Sequence, residues 1–344
     1  MSVPFLSSRK TQIHAAAGLV LLTLSAATIA QDPLPPLQLA TTKSSLDGVS
    51  QAVTYWAPDN ATKVPTPLFV FLHSWSSGYE QDNSKWQKEA VDRGWIYIHP
   101  DFRGRNSSPK ACGSKFARQD VLDAIQMARN RFNVDTSRIY LAGVSGGGHM
   151  AMLMAGHHPE QFSAVSAWVG ISDLAEWYEF HMKDGKPQKY ARMILECFGK
   201  PPKTSDVVDA DYRDRSPLFH MQNIGDLPID IYTGVNDGHT GSVAVSHSIR
   251  AFNRLAKSHG NPQVTESEIN QLLTNRKLSA PQPTDLQDEP TLGRKIFLRR
   301  ESRNSRVTVF DGGHESITTA ACEWLALQSR PAKATAAENY SGLR

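Results

Sequence analysis

The sequence has few cysteines, little net charge and no internal repeat. Three of its 344 residues are cysteine, and no spacing in the chain resembles a metal site. The formal net charge is only +3, without a long basic run, which argues against nucleic acid as a partner. With 40% hydrophobic and 21% charged residues, the chain has the composition of a globular protein, long enough for one large domain or two small ones.

The first 30 residues differ from the rest of the chain. Arg9-Lys10 forms a short positive region, residues 15–30 carry no charge, and Thr28-Ile29-Ala30 supplies small residues for cleavage. This layout predicts a signal peptide over residues 1–30, cut after Ala30, and a secreted or periplasmic protein without stable membrane insertion. The alternative is an uncleaved anchor, although a membrane span needs about 20 apolar residues and this stretch is shorter.

The three cysteines follow the predicted signal. An oxidising compartment permits one disulfide and one remaining thiol. Cys112 and Cys197 both lie in glycine-containing loops, and we predict that they pair, leaving Cys322 free. The alternative is that all three cysteines stay reduced.

Short apolar runs alternate with amphipathic stretches along the mature chain. Apolar runs without alternation predict parallel strands that are buried on both faces. Strands followed by helices predict an α/β fold with a doubly wound, mostly parallel sheet. The six strand candidates are residues 68–72, 95–98, 138–144, 164–169, 228–232 and 306–310, and helical patterns occur around residues 120–128, 147–156, 243–256 and 318–327.

Four segments fall outside this alternation. Residues 31–52 contain Pro35-Pro36 and predict a linker before a catalytic domain over residues 53–330. Residues 171–226 carry several aromatic side chains between two core strands, and they predict either a cap over the site or a peripheral insertion. Residues 261–294 are polar and contain proline, which favours a surface excursion. Residues 331–344 are predicted to form a flexible tail.

The sharpest local motif is Gly143-Val144-Ser145-Gly146-Gly147, between a predicted strand and a predicted helix. That context is the one a nucleophile elbow requires, because the tight turn admits only very small residues beside the serine. The turn would expose the Ser145 hydroxyl and leave the backbone N–H of Gly146 free for an oxyanion. The second oxyanion donor is expected after the strand at residues 68–72, and we assign it to the backbone N–H of Trp75. The alternative is that Trp75 only packs or lines the pocket.

A serine hydroxyl needs a base to become a good nucleophile. The acid and the histidine should follow the serine in this chain order, each in a loop after a strand. Asp237 follows the fifth predicted strand and His314 follows the sixth, after Gly312-Gly313. Asp173 is the alternative acid. Three further residues have other expected roles: Asp230 lies inside its strand, His149 on the helix after Ser145, and His239 in the loop beside Asp237.

These motifs resemble the catalytic domain of the prolyl oligopeptidase family. The resemblance rests on the elbow, on Gly234-Val235-Asn236-Asp237, on Gly312-Gly313-His314, on the Ser-Pro pair in Tyr212–Pro217, and on the Arg-Gly loop in Pro100–Gly104. It covers roughly residues 67–327. It implies the α/β-hydrolase fold, with Ser145, Asp237 and His314 as a catalytic triad that needs no cofactor.

Two departures bear on the substrate. Residues 31–66 leave no room for the β-propeller of the true oligopeptidases, and His73-Ser74 replaces the family's His-Gly. We therefore carry three hypotheses: a peptidase of the prolyl oligopeptidase type, a carboxylesterase on an acylated carbohydrate or polyester, and a catalytically dead binding module. The expected partner is accordingly a peptide, a small molecule or an acylated polymer. Trp75, Trp177 and Tyr178 are candidates for an apolar wall, although such aromatic residues also serve simple packing.

Overall fold

A computed structural model describes residues 1–2 and 33–330 of the chain. The predicted signal peptide (apart from its first two residues) and the predicted tail lie outside the described residues. Within the described part, no helix combines the length and the apolar character that a membrane crossing requires. Residues 34–330 belong to one structural unit.

Nine of the strands in residues 33–330 form one sheet, and two short ones form a hairpin. In chain order the strands are β1 (Gln38–Lys43), β2 (Ser50–Trp56), β3 (Thr66–Leu72), β4 (Ile96–Pro100), β5 (Val134–Val144), β6 (Ala164–Trp168), β7 (Met182–Lys183), β8 (Lys186–Pro187), β9 (Ile229–Gly234), β10 (Ile296–Ser302) and β11 (Ser305–Phe310). The sheet order is β1-β2-β4-β3-β5-β6-β9-β11-β10. Strands β4, β3, β5, β6, β9 and β11 run parallel, and β1, β2 and β10 are antiparallel to their neighbours.

Helices cover both faces of this sheet. They are α1 (Ser84–Asp92), α2 (Lys115–Arg131), α3 (Gly146–His157), α4 (Leu174–Phe180), α5 (Lys189–Phe198), α6 (Asp206–Asp214), α7 (Ser246–Ser258), α8 (Glu266–Asn275) and α9 (Thr318–Ala326). Strand β3 is fully buried, and its successive side chains point to opposite faces. Leu68 and Val70 join the core that contains α2, α3 and α7, whereas Phe69 and Phe71 join the core beneath α1 and α9. The predicted doubly wound, mostly parallel sheet is therefore confirmed.

The six predicted strands are the six parallel strands of the sheet, and the three antiparallel strands were missed. Strand β2 is buried only at every second residue, so it has no continuous apolar run. Strand β10 contains Arg299, Arg300 and Glu301 at the edge of the sheet. Antiparallel strands can carry polar side chains on a solvated face and then lack continuous apolar runs, which explains why these three escaped the prediction.

Two segments differ from their sequence-based expectations. The predicted linker at residues 31–52 carries all of β1 and the beginning of β2. The predicted surface excursion at residues 261–294 carries α8, where Thr265 and Glu268 form a capping box. Ile269 and Leu272 of this helix are buried in the main core, because a short amphipathic helix can turn an apolar edge inward while the rest of the segment stays polar.

Residues 171–226, hereafter the insertion, hold the helices α4, α5 and α6 and build an apolar cluster of their own. The cluster also takes in Trp75 from the loop after β3 and Val243 from the loop after β9. Both of these loops carry predicted site residues. The insertion therefore packs against two loops of the site, and its aromatic residues Trp177 and Tyr178 are 0% and 6% exposed.

The three cysteines are buried, and each has a free thiol. Cys112 and Cys197 belong to the apolar cluster of the insertion, and Cys322 lies in the core beneath α9. Burial raises the pKa of the Cys112 thiol, and the nearby thiol of Cys197 acts in the same direction. The two thiols are thus brought together, and their oxidation to a disulfide stays a prediction.

Candidate active site

Ser145 occupies a sharp turn between β5 and α3. Its φ of 59° lies in the left-handed region that non-glycine residues rarely adopt, which is a strained conformation typical of functional sites. The backbone holds this turn in place, because the Ser145 N–H donates to the carbonyl of Trp168 at 2.9 Å. The strand, turn and helix that the motif predicts are all present.

The glycines beside Ser145 are required by close backbone approach. A Cβ atom on Gly143 would collide with the carbonyl oxygen of Gly147, and one on Gly147 would collide with the carbonyl oxygen of Leu72. The obstacles are backbone atoms, which cannot swing aside as the end of a flexible side chain can. The physical reason given for the sequence motif thus holds in the fold.

The two predicted oxyanion donors lie side by side. A Cβ atom on Gly146 would collide with the backbone nitrogen of Trp75, so the N–H groups of these two residues are neighbours. Gly146 begins α3, where the first N–H groups have no partner inside the helix. The indole ring of Trp75 is 2% exposed and packs edge to face on Trp177 with 4.7 Å between centroids. The ring therefore packs, while the backbone N–H is near Ser145.

The predicted acid and histidine form a direct pair. The Nδ1–H of His314 donates to Oδ2 of Asp237 at 2.7 Å. Oδ1 of Asp237 accepts from the backbone N–H groups of Gly238 at 2.9 Å and Val243 at 3.1 Å. Asp237 is 1% exposed, and the carboxylate is held by three donors.

The loops after β9 and β11 approach each other closely enough to make this pair. The N–H of Asn236 donates to the carbonyl of Gly312 at 2.9 Å, and a Cβ atom on Gly234 would collide with the backbone of Gly312 and Gly313. Because β9 and β11 are parallel neighbours, both loops leave the same edge of the sheet, where ligands bind open α/β sheets.

His314 opens onto a cleft of about 370 Å³ that is also lined by Val144, the neighbour of Ser145. Among the described residues, His314 donates to Asp237, and no hydrogen bond joins it to Ser145. Catalytic hydrogen bonds are often long in enzymes without substrate and tighten when substrate binds. The fold thus places His314 and the residue that precedes Ser145 on one cleft.

The alternative acids have other partners. Asp173 is the N-cap of α4, where its Oδ1 accepts from the N–H groups of Ala175 at 2.9 Å and Glu176 at 3.2 Å. Asp230 is completely buried and forms an ion pair with Arg306. Neither carboxylate contacts His314 in the described structure. Asp173 therefore acts as a helix cap, a role that an aspartate directly before a predicted helix can indicate in the sequence.

The other two histidines considered from the sequence lie elsewhere. His149 is buried in α3, and its Nε2–H donates to the carbonyl of Arg215 at 2.8 Å. Burial lowers the pKa of His149 to about 4, so the ring is neutral near pH 7. His239 is exposed in the loop that follows Asp237. The structure keeps both rings apart from the pair of His314 and Asp237.

The sequence interpretation missed Gly241. A Cβ atom there would collide with Oδ1 of Asp237 and lie 2.7 Å from Cβ of His314. The space that Gly241 leaves empty is therefore the space in which these two side chains meet. The signal was present as the second glycine in Asp237-Gly238-His239-Thr240-Gly241, but glycine in a loop has too many meanings to be interpreted alone.

One group among the described residues has the chemistry of a metal site, away from this cleft. Ligand atoms of His157, Asp214 and His220 lie within 4.8 Å of one another. Both imidazole Nε2–H groups donate to the Asp214 carbonyl, at 3.2 and 3.0 Å, at the end of α6. The Asp214 carboxylate is ion-paired with Arg118 at 3.1 Å. These contacts make the group a C-terminal helix cap.

Comparison with known proteins identifies the family of this chain. Residues 82–268, more than half of the chain, match the prolyl oligopeptidase family. A Bacillus subtilis protein named Uncharacterized peptidase YtmA is 28% identical over 172 residues, which is 49% of this chain and 61% of that protein. The bifunctional acetylxylan esterase/xylanase XynS20E of Neocallimastix patriciarum is 30% identical over 103 residues, 29% of this chain and 15% of that protein.

Solved structures give the same fold. The acylaminoacyl peptidase of Pyrococcus horikoshii superposes with a TM-score of 0.52 at 19% identity, over 66% of this chain and 35% of that one. The chain thus matches only part of the length of these relatives. The sheet order, the flanking helices and this likeness confirm the α/β-hydrolase fold. The chain belongs to the prolyl oligopeptidase family.

Proposed function

We propose that this enzyme hydrolyses ester or amide bonds through an acyl-enzyme on Ser145, with His314 as general base and Asp237 as the acid that orients it. The observation that carries the proposal is the 2.7 Å hydrogen bond between His314 and the buried carboxylate of Asp237, beside the cleft that Val144 and His314 share. Such a pair fixes the tautomer of the imidazole so that Nε2 can accept a proton.

In the first half of the proposed reaction, the Ser145 hydroxyl attacks the carbonyl carbon of the substrate. The proton of the hydroxyl moves to Nε2 of His314, and the negative charge of Asp237 stabilises the imidazolium. The N–H groups of Gly146 and Trp75 donate to the oxyanion that forms. When the tetrahedral intermediate collapses, the bond to the leaving group breaks and His314 returns the proton to the departing oxygen or nitrogen.

In the second half, water takes the place of the leaving group. His314 accepts a proton from the water as its oxygen attacks the acyl carbon. The second tetrahedral intermediate breaks the bond to Ser145, and His314 protonates the serine oxygen. The acid product leaves, and the starting state of the enzyme returns without any external electron donor or acceptor.

The cleft beside His314 favours a polar leaving group. Because His314 protonates the leaving group, that group has to lie on its side of Ser145. The side chains lining the cleft there include amides, hydroxyls and charges of both signs: Gln81, Asp82, Asn83, Ser84, Lys85 and Ser316. An apolar leaving group would separate these groups from water without replacing their hydrogen bonds, which is unfavourable.

A peptide is the first substrate class that we propose, because the Bacillus subtilis relative is named a peptidase. A carboxylic ester is the second, since the Neocallimastix patriciarum relative is named an acetylxylan esterase. Both substrates present a polar leaving group to the cleft. Their bonds differ in the leaving atom, nitrogen in one and oxygen in the other, so a matched pair of amide and ester substrates separates the two classes.

The test uses a fluorophosphonate probe, p-nitrophenyl acetate and a series of prolyl p-nitroanilides. We expect the wild type to be labelled, and labelling to disappear in Ser145→Ala but not in Ser258→Ala, a serine at the end of α7. His314→Ala and Asp237→Asn should lose most activity. An unlabelled wild type would support a binding module instead. Activity in Asp237→Asn with loss in Asp173→Asn would move the acid to Asp173.

We also propose that the protein is exported and cut after Ala30. The proposal rests on the charge and hydrophobicity pattern of residues 1–30. Intact mass and N-terminal sequencing of the protein recovered from its native host should show a chain that begins at Gln31. A chain that begins at residue 1 or 2 and stays with the membrane would support the anchor instead.

A further inference from the structure

The peptide bond between Ser242 and Val243 lies between the insertion and Asp237. On one side, its carbonyl oxygen accepts two hydrogen bonds from the insertion: Trp177 Nε1–H donates at 2.7 Å and His181 Nε2–H at 3.0 Å. On the other side, its N–H donates to Oδ1 of Asp237 at 3.1 Å. A single amide group thus connects two insertion side chains to the carboxylate that holds His314.

This connection matters because it holds the part of the loop that lies beyond its exposed tip. His239 and Thr240 at its tip are exposed. The other backbone donor to Oδ1 of Asp237 is its own neighbour Gly238. Of the two backbone donors, the N–H of Val243 is therefore the one that links the carboxylate to the insertion. An amide whose carbonyl accepts hydrogen bonds also becomes a stronger N–H donor.

Trp177 reaches the other half of the site as well. Its ring is fully buried and packs edge to face on Trp75 at 4.7 Å between centroids. The backbone N–H of Trp75 is the proposed oxyanion donor, so one indole ring contacts both the acid loop and the oxyanion loop. His181 supports this ring, since the two rings meet edge to face at 5.0 Å.

We propose that Trp177 and His181 are positioning residues, and that the insertion acts as a brace that holds Asp237 and the Trp75 loop in their working geometry. This inference rests on the proposed function, since it assigns catalytic roles to Asp237 and to the N–H of Trp75. The expected effect of removing the brace is a lower turnover number, because Asp237 orients the base and binds no substrate. A mutation away from the reacting atoms that misplaces them by about 1 Å can cost about 10²-fold in rate.

The test variants remove the N–H donors of Trp177 and His181 one at a time and together. Trp177→Phe removes the indole N–H and keeps an aromatic ring against Trp75. His181→Phe removes the second donor, whereas His181→Gln keeps an N–H group that can reach a carbonyl. Trp324→Phe in α9 is the matched control, because Trp324 packs against the core on the other side of the sheet from α3.

We expect the double variant Trp177→Phe/His181→Phe to lower kcat for p-nitrophenyl acetate by about tenfold or more, with KM changed by less than about twofold. Each single variant should give a smaller loss, and His181→Gln should stay close to the wild type. Proton NMR provides a second measurement, because the hydrogen-bonded Nδ1 proton of His314 resonates far downfield. This signal should shift or broaden in the double variant and stay unchanged in Trp324→Phe.

The outcomes separate this inference from the proposed function. Full activity in Ser145→Ala or Asp237→Asn would overturn the proposed function itself. Loss of activity in those two variants, with a normal kcat and a normal downfield signal in the double variant, would overturn only the brace. Near-UV circular dichroism shows whether the double variant folds. If it does not fold, the kcat of His181→Phe is compared with the kcat of His181→Gln. Equal values in these two variants would contradict the inference.

Discussion

Two regions meet around Ser145, and they are built in different ways. The loops at the strand ends are held by backbone atoms in close approach, so that Gly143, Gly146 and Gly147 have no room for a side chain. The insertion instead contacts the site through side chains, with an apolar cluster around Trp177 and two hydrogen bonds to one carbonyl. Both arrangements involve the loops that carry the proposed catalytic residues.

The difference predicts how each region responds to substitution. A backbone collision cannot be relieved by a rotamer change, so a methyl group in the loops has to displace the reacting groups themselves. Side-chain packing relaxes in part when an atom is removed, so the insertion should give graded effects. Substitutions in the loops should therefore reduce turnover far more than substitutions in the insertion, where stability is more affected.

The largest effect is expected for Gly146→Ala. The added methyl would collide with the backbone nitrogen of Trp75 and separate the two oxyanion donors. Loss of one such donor typically lowers kcat by about 10²–10³-fold. Steady-state kinetics with p-nitrophenyl acetate and the rate of fluorophosphonate labelling measure this loss. A variant with the kcat of the wild type would show that these N–H groups do not bind the oxyanion.

Gly241→Ala should follow, with a loss of about 10²-fold in kcat. Its methyl would collide with the Asp237 carboxylate and approach His314, which breaks their alignment. Gly313→Ala is the comparison, since a methyl there would meet only the Thr240 hydroxyl at 3.6 Å. The two variants lie in neighbouring loops, so similar losses would argue that general loop distortion, rather than the Asp237 position, controls turnover.

Oxidation of Cys112 and Cys197 tests how the apolar cluster of the insertion contributes to stability. With glutathione disulfide as oxidant, the thiols of Cys112 and Cys197 should form one disulfide while two molecules of glutathione are released. A bond that closes so long a loop stabilises a protein by about 2–4 kcal/mol. Urea unfolding with and without reductant measures the gain, and alkylation of the denatured chain should find one thiol, or none in Cys322→Ser. Three free thiols after this treatment would contradict the pairing.

The smallest effect concerns His149, which links α3 to the insertion through the Arg215 carbonyl. Its pKa in the fold is about 4, against 6.5 for the free side chain. As the pH falls through this window, the unfolded chain takes up the proton first, so the stability present above about pH 6.5 is lost towards pH 4. His149→Gln keeps a donor and does not titrate. When the pH is lowered from 7.5 to 4.5, the unfolding free energy of both proteins should fall. The fall should be about 2 kcal/mol smaller in His149→Gln than in the wild type. An equal fall in the two proteins would show that His149 is not involved.

Much of the fold followed from local sequence patterns. Continuous apolar runs identified all six parallel strands, because a strand that is buried on both faces needs apolar side chains at every position. The antiparallel strands β1, β2 and β10 did not follow, since a strand with one solvated face resembles many other polar segments. Strand β10 with its arginines is the clearest case.

The same division applies to the site. The sequence by itself determined the elbow at Ser145 and the loops that hold Asp237 and His314, because glycine patterns and strand ends are local features. Only the tertiary structure shows the contact between Asp237 and His314, the packing of Cys112 and Cys197 into one apolar cluster, and the contact of Trp177 with the carbonyl of Ser242. These contacts join residues far apart in the chain, and only the packing of whole elements brings them together.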